Sequence, residues 1–170
     1  EAAARHDVES VLTDPSHPNG TSRVAEAARN LGVTEDLIVV NVQGDEPEIE
    51  PVTIDAAVEA LAKAGSPVAT VGAPISSDEE AANPNIVKLV CNERGLAMYF
   101  SRSPIPYPRV GEPVRYKHIG LYAYRRSFLD VCTTLEPTRL ELAESLEQLR
   151  FLGHGYAIAV ARVEASHPGI

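Results

Sequence analysis

The run Leu37-Ile38-Val39-Val40-Asn41-Val42 constrains this chain more than any other stretch. A short, nearly continuous series of apolar and β-branched residues is the pattern of a strand covered on both faces. It stops sharply at the polar Gln43-Gly44-Asp45-Glu46-Pro47. Beyond Pro51, residues Ile54, Val58 and Leu61 recur at helical spacing and end near Gly65, and 68–73 (VATVGA) reads as a second buried strand. Strand, helix, strand with short connections predicts right-handed crossovers and a parallel, layered α/β sheet.

The remaining segments extend this pattern. Residues 8–13 (VESVLT) read as a short strand, 14–20 (DPSHPNG) as a loop dense in turn residues, and 22–31 as a helix with Val24, Ala28 and Leu31 at helical spacing. Residues 86–91 and 96–100 look like strands around a turn at Glu93-Arg94-Gly95. Four prolines within 103–113 predict an ordered extended loop or arm. The stretch 116–124 alternates: Tyr116, His118, Gly120, Tyr122 and Tyr124 share one face, and Lys117, Ile119, Leu121 and Ala123 the other. Thr138 and Glu141 have capping-box spacing and open a helix whose buried stripe is Leu142, Leu146 and Leu149, ended by Gly153 and Gly155. A last strand is expected at 156–163. There is no internal repeat, low-complexity segment or linker, so 1–170 reads as one domain.

Composition narrows the class of partner. With 24 acidic against 15 basic side chains the net charge is −9, which argues against nucleic acid as a partner, because phosphate neutralisation needs a basic surface. No apolar run approaches the ~20 residues of a membrane span, and no signal peptide is expected. The two cysteines, Cys91 and Cys132, sit in apolar stretches and are expected to be buried, reduced thiols of a cytoplasmic protein. The chain opens at Glu1 without a methionine and stops at Ile170 with no polar tail, as a fragment would.

Several groups are placed to do chemistry. In open α/β sheets ligands sit beyond the carboxyl ends of strands. Asp45 lies at such a point, and a carboxylate there suits a hard cation such as Mg²⁺, which needs few protein oxygens when phosphates supply the others. A solvated turn is the equally available reading. The 19–23 turn (NGTSR) leads into a helix N-terminus whose N–H groups favour acceptor-rich ligands, although Ser22 as a plain N-cap accounts for it as well. Arg102 and Arg109 flank the proline-rich SPIPYP loop, and guanidinium groups on an ordered loop can clamp a carboxylate or phosphate. His118 and Tyr122 share a strand face with Gly120 between them, leaving space for a polyhydroxylated ligand or simply a packed aromatic face. Glu144, Glu147 and Gln148 read as helix-surface polarity. Walker A, G-x-G-x-x-G, nucleophile-elbow and zinc spacings are absent from the sequence.

In order, GT-RVAE at 20–26, VVNVQGDEP at 39–47, NPNIVKLV at 83–90, YFSRSPIPYPR at 99–109, KHIGLYAYRRSFL at 117–129 and LEQLR at 146–150 resemble the 3-deoxy-manno-octulosonate cytidylyltransferase family, also called CMP-Kdo synthetases. The resemblance covers nearly the whole chain. It implies a Rossmann-like three-layer nucleotidyltransferase sheet with a β-arm, around 99–125, used for homodimerisation. It also implies transfer of CMP from CTP to the sugar acid Kdo for lipopolysaccharide biosynthesis, with Mg²⁺ as cofactor. Carried over residue by residue, Asp45 would bind the metal and Gln43 would lie between nucleotide and sugar. Gly20, Thr21 and Arg23 would line the cytidine site. Arg102, Arg109, His118, Tyr122, Glu147 and Gln148 would surround the sugar acid.

The chain departs from the family pattern in three respects. Ser22 stands where relatives usually carry an acidic residue. The family's lysine-bearing N-terminal loop and a DTPED segment expected after Ile170 are not among these residues, so the 170 residues alone are expected to be inactive. Neighbouring readings are a cytidylyltransferase for an 8-amino-Kdo or sialic acid, or a non-catalytic module that binds a sugar acid or dimerises.

Overall fold

The structure, a computed structural model, describes residue 5 and residues 8–44 and 48–164. Residues 8–13, expected as a strand, run as irregular chain. Val8 is 59% and Leu12 95% exposed, and without a neighbouring strand their apolar side chains gain nothing from an extended ladder. Helix α1 (Gly20–Asn30) follows, capped by the side chain of Asn19, which accepts from the Ser22 backbone N–H at 2.9 Å. Asn19, rather than Ser22, is therefore the cap, and Ser22 sits in the first turn.

Strand β1 (Ile38–Val42) forms where the apolar run predicts it, but only one of its edges is paired among the described residues. It is half-exposed rather than covered on both faces. Helix α2 (Pro51–Ala64) begins with proline at its first position and stops at Gly65, whose φ of 64° is left-handed and suits a residue without Cβ. Strand β2 (Val68–Pro74), the short helix α3 (Asp78–Ala82) and the hairpin of β3 (Lys88–Cys91) and β4 (Ala97–Ser101) come next. The proline-rich 102–115 carries neither helix nor strand, and it exposes Tyr107, Val110 and Val114. Strand β5 (Tyr116–Arg125), α4 (Arg126–Cys132), α5 (Arg139–Glu144), α6 (Gln148–Gly153) and β6 (Ile158–Arg162) complete the order.

The sheet is mixed rather than parallel. Its order is β4-β3-β5-β2-β6, with β1 paired to the end of β5 beside β3. Among the described residues only β2 and β6 pair in parallel; β5 runs antiparallel between β1 and β2, so the β1–α2–β2 crossover steps over an inserted strand. A crossover pattern in the sequence fixes strand direction but leaves open what enters between the strands later in the chain.

Helices flank both faces. Helix α2 packs Ala57 and Leu61 on Ala69, Val71, Ile119, Leu121 and Ala123. The opposite face carries Tyr122, Tyr124, Phe100 and Leu89, covered by α1, α4 and α6 through Ala25, Phe128, Leu129 and Phe151. The expected single helix after Thr138 is two helices. The capping box forms, but Ser145 adopts a left-handed φ of 52°, ends α5 and leaves Leu142 exposed while Leu146 and Leu149 stay buried. Cys91 and Cys132 are free thiols; Cys132 is buried as expected but Cys91 only half-buried, and loss of solvent raises the pKa of both.

Candidate active site

The aromatic face opens into a cavity of about 270 Å³. Its wall is assembled from five places in the chain, one of them Val87 just before β3. The first turn of α1 gives Gly20 and Thr21, and the carboxyl end of β1 gives Asn41 and Gln43. Strand β5 gives His118, Gly120, Tyr122 and Tyr124, and the turn into α6 gives Ser145, Glu147 and Gln148.

A β-bulge shapes the floor. Thr70 faces Tyr122, yet the next residue, Val71, faces Ile119, so Gly120 and Leu121 have no partner on β2. The Leu121 carbonyl freed in this way accepts from Thr70 Oγ1 at 2.7 Å, and the same hydroxyl lies 2.9 Å from His118 Nε2. Even so, the side chains keep their alternation, so His118, Tyr122 and Tyr124 stand on one face as a ladder of rings. Ring centroids are 5.3 Å apart from His118 to Tyr122 and 5.7 Å from Tyr122 to Tyr124, with Phe100 edge-on to His118 at 5.4 Å.

The electrostatics favour neutral hydrogen bonding. Burial pulls the His118 pKa down to about 4, so the imidazole is uncharged at neutral pH. Burial raises the Tyr122 and Tyr124 hydroxyls, which stay protonated. Loss of solvent also raises the Glu147 carboxyl above its ordinary value, opposed by a hydrogen bond from Thr21 Oγ1 at 3.2 Å. Gln148 is only 5% exposed and Tyr122 7%, yet neither the Gln148 amide nor the Tyr122 hydroxyl has a hydrogen-bond partner among the described residues. Buried polar groups are normally satisfied. Groups left open toward a cavity are complementary to a ligand rich in hydroxyls.

The structure brings together Gly20, Thr21, Gln43, His118, Tyr122, Glu147 and Gln148 of the residues expected at the site. Three expected arginines are not on the cavity wall. Arg23 turns outward to Thr13 Oγ1 at 2.6 Å and to the Asp14 carbonyl at 3.2 Å. Arg102 donates to the carbonyls of Glu144 at 2.8 Å, Pro84 at 2.9 Å and Ser145 at 3.4 Å, which pins the turn carrying Glu147 and Gln148. Arg109 is exposed on the proline-rich segment. Asp45 lies outside the described residues, among which no group of three or more His, Cys, Asp or Glu is arranged to hold a metal ion. The described carboxylates therefore do not form a Mg²⁺ cage by themselves.

Sequence reasoning missed Asn41, Ser145 and Thr70. Asn41 had a signal, a lone amide inside an apolar strand. Glu144 and Gln148, one helical turn apart in sequence, lie on separate helices; Glu144 instead accepts from Ser101 Oγ at 2.7 Å and from the Arg102 backbone N–H at 2.9 Å.

A mixed sheet flanked by helices, with a polar cavity at the carboxyl end of a strand, is an α/β fold with a ligand site, and the cytidylyltransferase family matches residues 1–158. The chain belongs to that family. It is 45% identical over 172 aligned residues to a 3-deoxy-manno-octulosonate cytidylyltransferase of Polynucleobacter necessarius subsp. necessarius, covering 98% of this chain and 68% of the relative. A protein of the same name from Neisseria gonorrhoeae is 47% identical, covering 94% of this chain and 67% of the relative. Among solved structures, CMP:2-keto-3-deoxy-manno-octonic acid synthetase complexed with CTP superposes with a TM-score of 0.91 at 43% identity, over 99% of this chain and 69% of that one.

Proposed function

We propose that the protein couples CTP to 3-deoxy-manno-octulosonate, giving CMP-Kdo and pyrophosphate for lipopolysaccharide biosynthesis. The observation that carries this reading is the cavity itself. Buried Gln148 and Tyr122 offer unpaired polar groups beside a neutral imidazole, in a chain 43–47% identical to enzymes named for this reaction.

In the reaction, the anomeric hydroxyl of the sugar attacks the α-phosphorus of CTP. A bond forms from sugar oxygen to phosphorus, the bond to the β-phosphate bridging oxygen breaks, and the hydroxyl proton is released. The enzyme's task is to align two anions. His118, Tyr122 and Gln148 would hold sugar hydroxyls, and Glu147 would accept from a hydroxyl at the cavity mouth. Gly20 and Thr21, in the first turn of α1, would face the nucleotide, with Gln43 between the two substrates. Arg109 would serve the sugar carboxylate and Arg23 the nucleotide, each after its side chain turns from its present position, while Arg102 would serve the sugar-acid site by pinning the turn that carries Glu147 and Gln148.

We infer that the enzyme uses Mg²⁺, which Asp45 would hold, since one or two protein carboxylates suffice when a triphosphate supplies the other ligands. When bound, the ion would supply charge neutralisation at the phosphates and a lower pKa for the attacking hydroxyl. The arm around 99–125, whose proline-rich 102–115 exposes Tyr107, Val110 and Val114, is proposed to mediate homodimerisation, and the cytoplasm is proposed as the site of action.

The test is pyrophosphate release by the complete gene product with CTP and Kdo, beside 8-amino-Kdo, a sialic acid and UTP. The expected result is turnover with CTP and Kdo, lost in Asp45→Asn. Preference for another sugar acid or nucleotide would overturn the assignment.

A further inference from the structure

Thr70 has no place in the reaction as described, yet it is 0% exposed and its hydroxyl touches both the bulge and the cavity histidine. A threonine hydroxyl has one proton to give. Its 2.7 Å contact with the Leu121 carbonyl, which can only accept, fixes that proton on the carbonyl. Were the proton directed elsewhere, two oxygen lone pairs would face each other at that distance. Thr70 Oγ1 is then the acceptor in its 2.9 Å contact with His118 Nε2, so Nε2 carries the imidazole proton. The opposite nitrogen, Nδ1, has no hydrogen-bond partner among the described residues, and the ring lines the cavity.

We propose that Thr70 is a positioning residue that locks His118 as its Nε2–H tautomer, so that Nδ1 meets the ligand only as an acceptor. The inference rests on the reading of the cavity as the sugar-acid site and adds its polarity. A neutral acceptor at that point takes an O–H donor and repels a carboxylate or phosphate oxygen. His118 thus reads a sugar hydroxyl and excludes the acid end of the ligand from its position. The same logic holds where the second hydrogen bond of a metal-ligating histidine decides which nitrogen is free. Depression of the His118 pKa to about 4 keeps this assignment valid across the neutral range.

The test has two independent readouts on the complete gene product. Imidazole ¹⁵N shifts, with His118→Gln used to assign the resonance, should show a neutral ring protonated at Nε2 at pH 7. An Nδ1–H or doubly protonated ring would overturn the proposal without any kinetics. In steady-state assays Thr70→Val should raise KM for the sugar acid about three- to tenfold, the effect of one neutral hydrogen bond, and leave KM for CTP within about twofold. Thr70→Ser, which restores the hydroxyl, should recover the wild-type KM and the Nε2–H spectrum. Equal losses toward both substrates, or no loss in Thr70→Val, would overturn it. If the wild-type protein transfers CMP to no sugar acid, the proposed function falls instead, and the ¹⁵N spectrum alone decides the tautomer.

Discussion

Strand β5 builds two unlike surfaces from alternate residues. On one face Ile119, Leu121 and Ala123 meet α2 in an aliphatic layer with Ala57 and Leu61, all of them buried. On the other, His118, Tyr122 and Tyr124 carry polar atoms on large rings, and the helices that cover them leave a cavity of about 270 Å³. Period-two alternation thus lets one strand hold a site on one side while its other side is buried in an aliphatic layer. The closed face provides stability and the open face recognition.

Substitutions can test how separate these roles are. The largest expected effect is on the closed face. Leu61→Ala should cost about 2–5 kcal/mol in denaturant unfolding, since a fully buried side chain leaves a void under the sheet. The surviving folded fraction should bind the sugar acid with unchanged KM. An altered KM would show that the two faces are coupled.

Next comes the acid limb of stability, which belongs to the open face. His118 has a folded pKa of about 4 against an ordinary 6.5. As pH falls from 6.5 toward 4 the unfolded chain takes up a proton that the folded chain refuses, so stability present above pH 6.5 is lost across that window. The loss is about 3 kcal/mol from this one group. His118→Gln should flatten the limb in urea titrations at pH 7, 5.5 and 4; an unchanged slope would mean that the ring titrates normally in the fold.

A smaller effect is expected from Tyr122→Phe, which removes a hydroxyl without a protein partner among the described residues. Its KM for the sugar acid should rise about three- to tenfold with Tm nearly unchanged. A large drop in Tm would move Tyr122 to the structural side of the comparison. The smallest effect should come from the outer surface of α2, where Lys63 and Glu59 pair at 2.9 Å in the open. Glu59→Gln should change stability by no more than about 0.5 kcal/mol, less still in high salt.

What the sequence disclosed divides along similar lines. Alternation at 116–124, the helical spacing of Ile54, Val58 and Leu61, and the Thr138–Glu141 box describe local geometry, and each formed. So did the shared face of His118 and Tyr122 around Gly120. The expected parallel sheet did not, because the place of β5 between β1 and β2 is decided by pairing between residues such as Asn41 and Tyr122, which no local pattern encodes. The break at Ser145 was hidden for a different reason: a non-glycine residue in the left-handed region is held there by surrounding hydrogen bonds, including the one from Arg102. Thr70 was invisible too, since a threonine inside VATVGA reads as strand propensity until the bulge opposite it is seen.

The single hydroxyl of Thr21 reaches across 126 residues of sequence to Glu147 and approaches Tyr124 across 103. The cavity wall is therefore made of contacts among the most distant in the chain, and loop closure of that length is the slowest kind to form. During refolding the pocket should be completed late, after the β3–β4 hairpin and the individual helices. A ligand that fits it would recognise only the finished molecule. Its binding would then raise the apparent stability of the entire domain by mass action, so that a thermal shift on adding the sugar acid would count correctly assembled molecules as well as measure affinity.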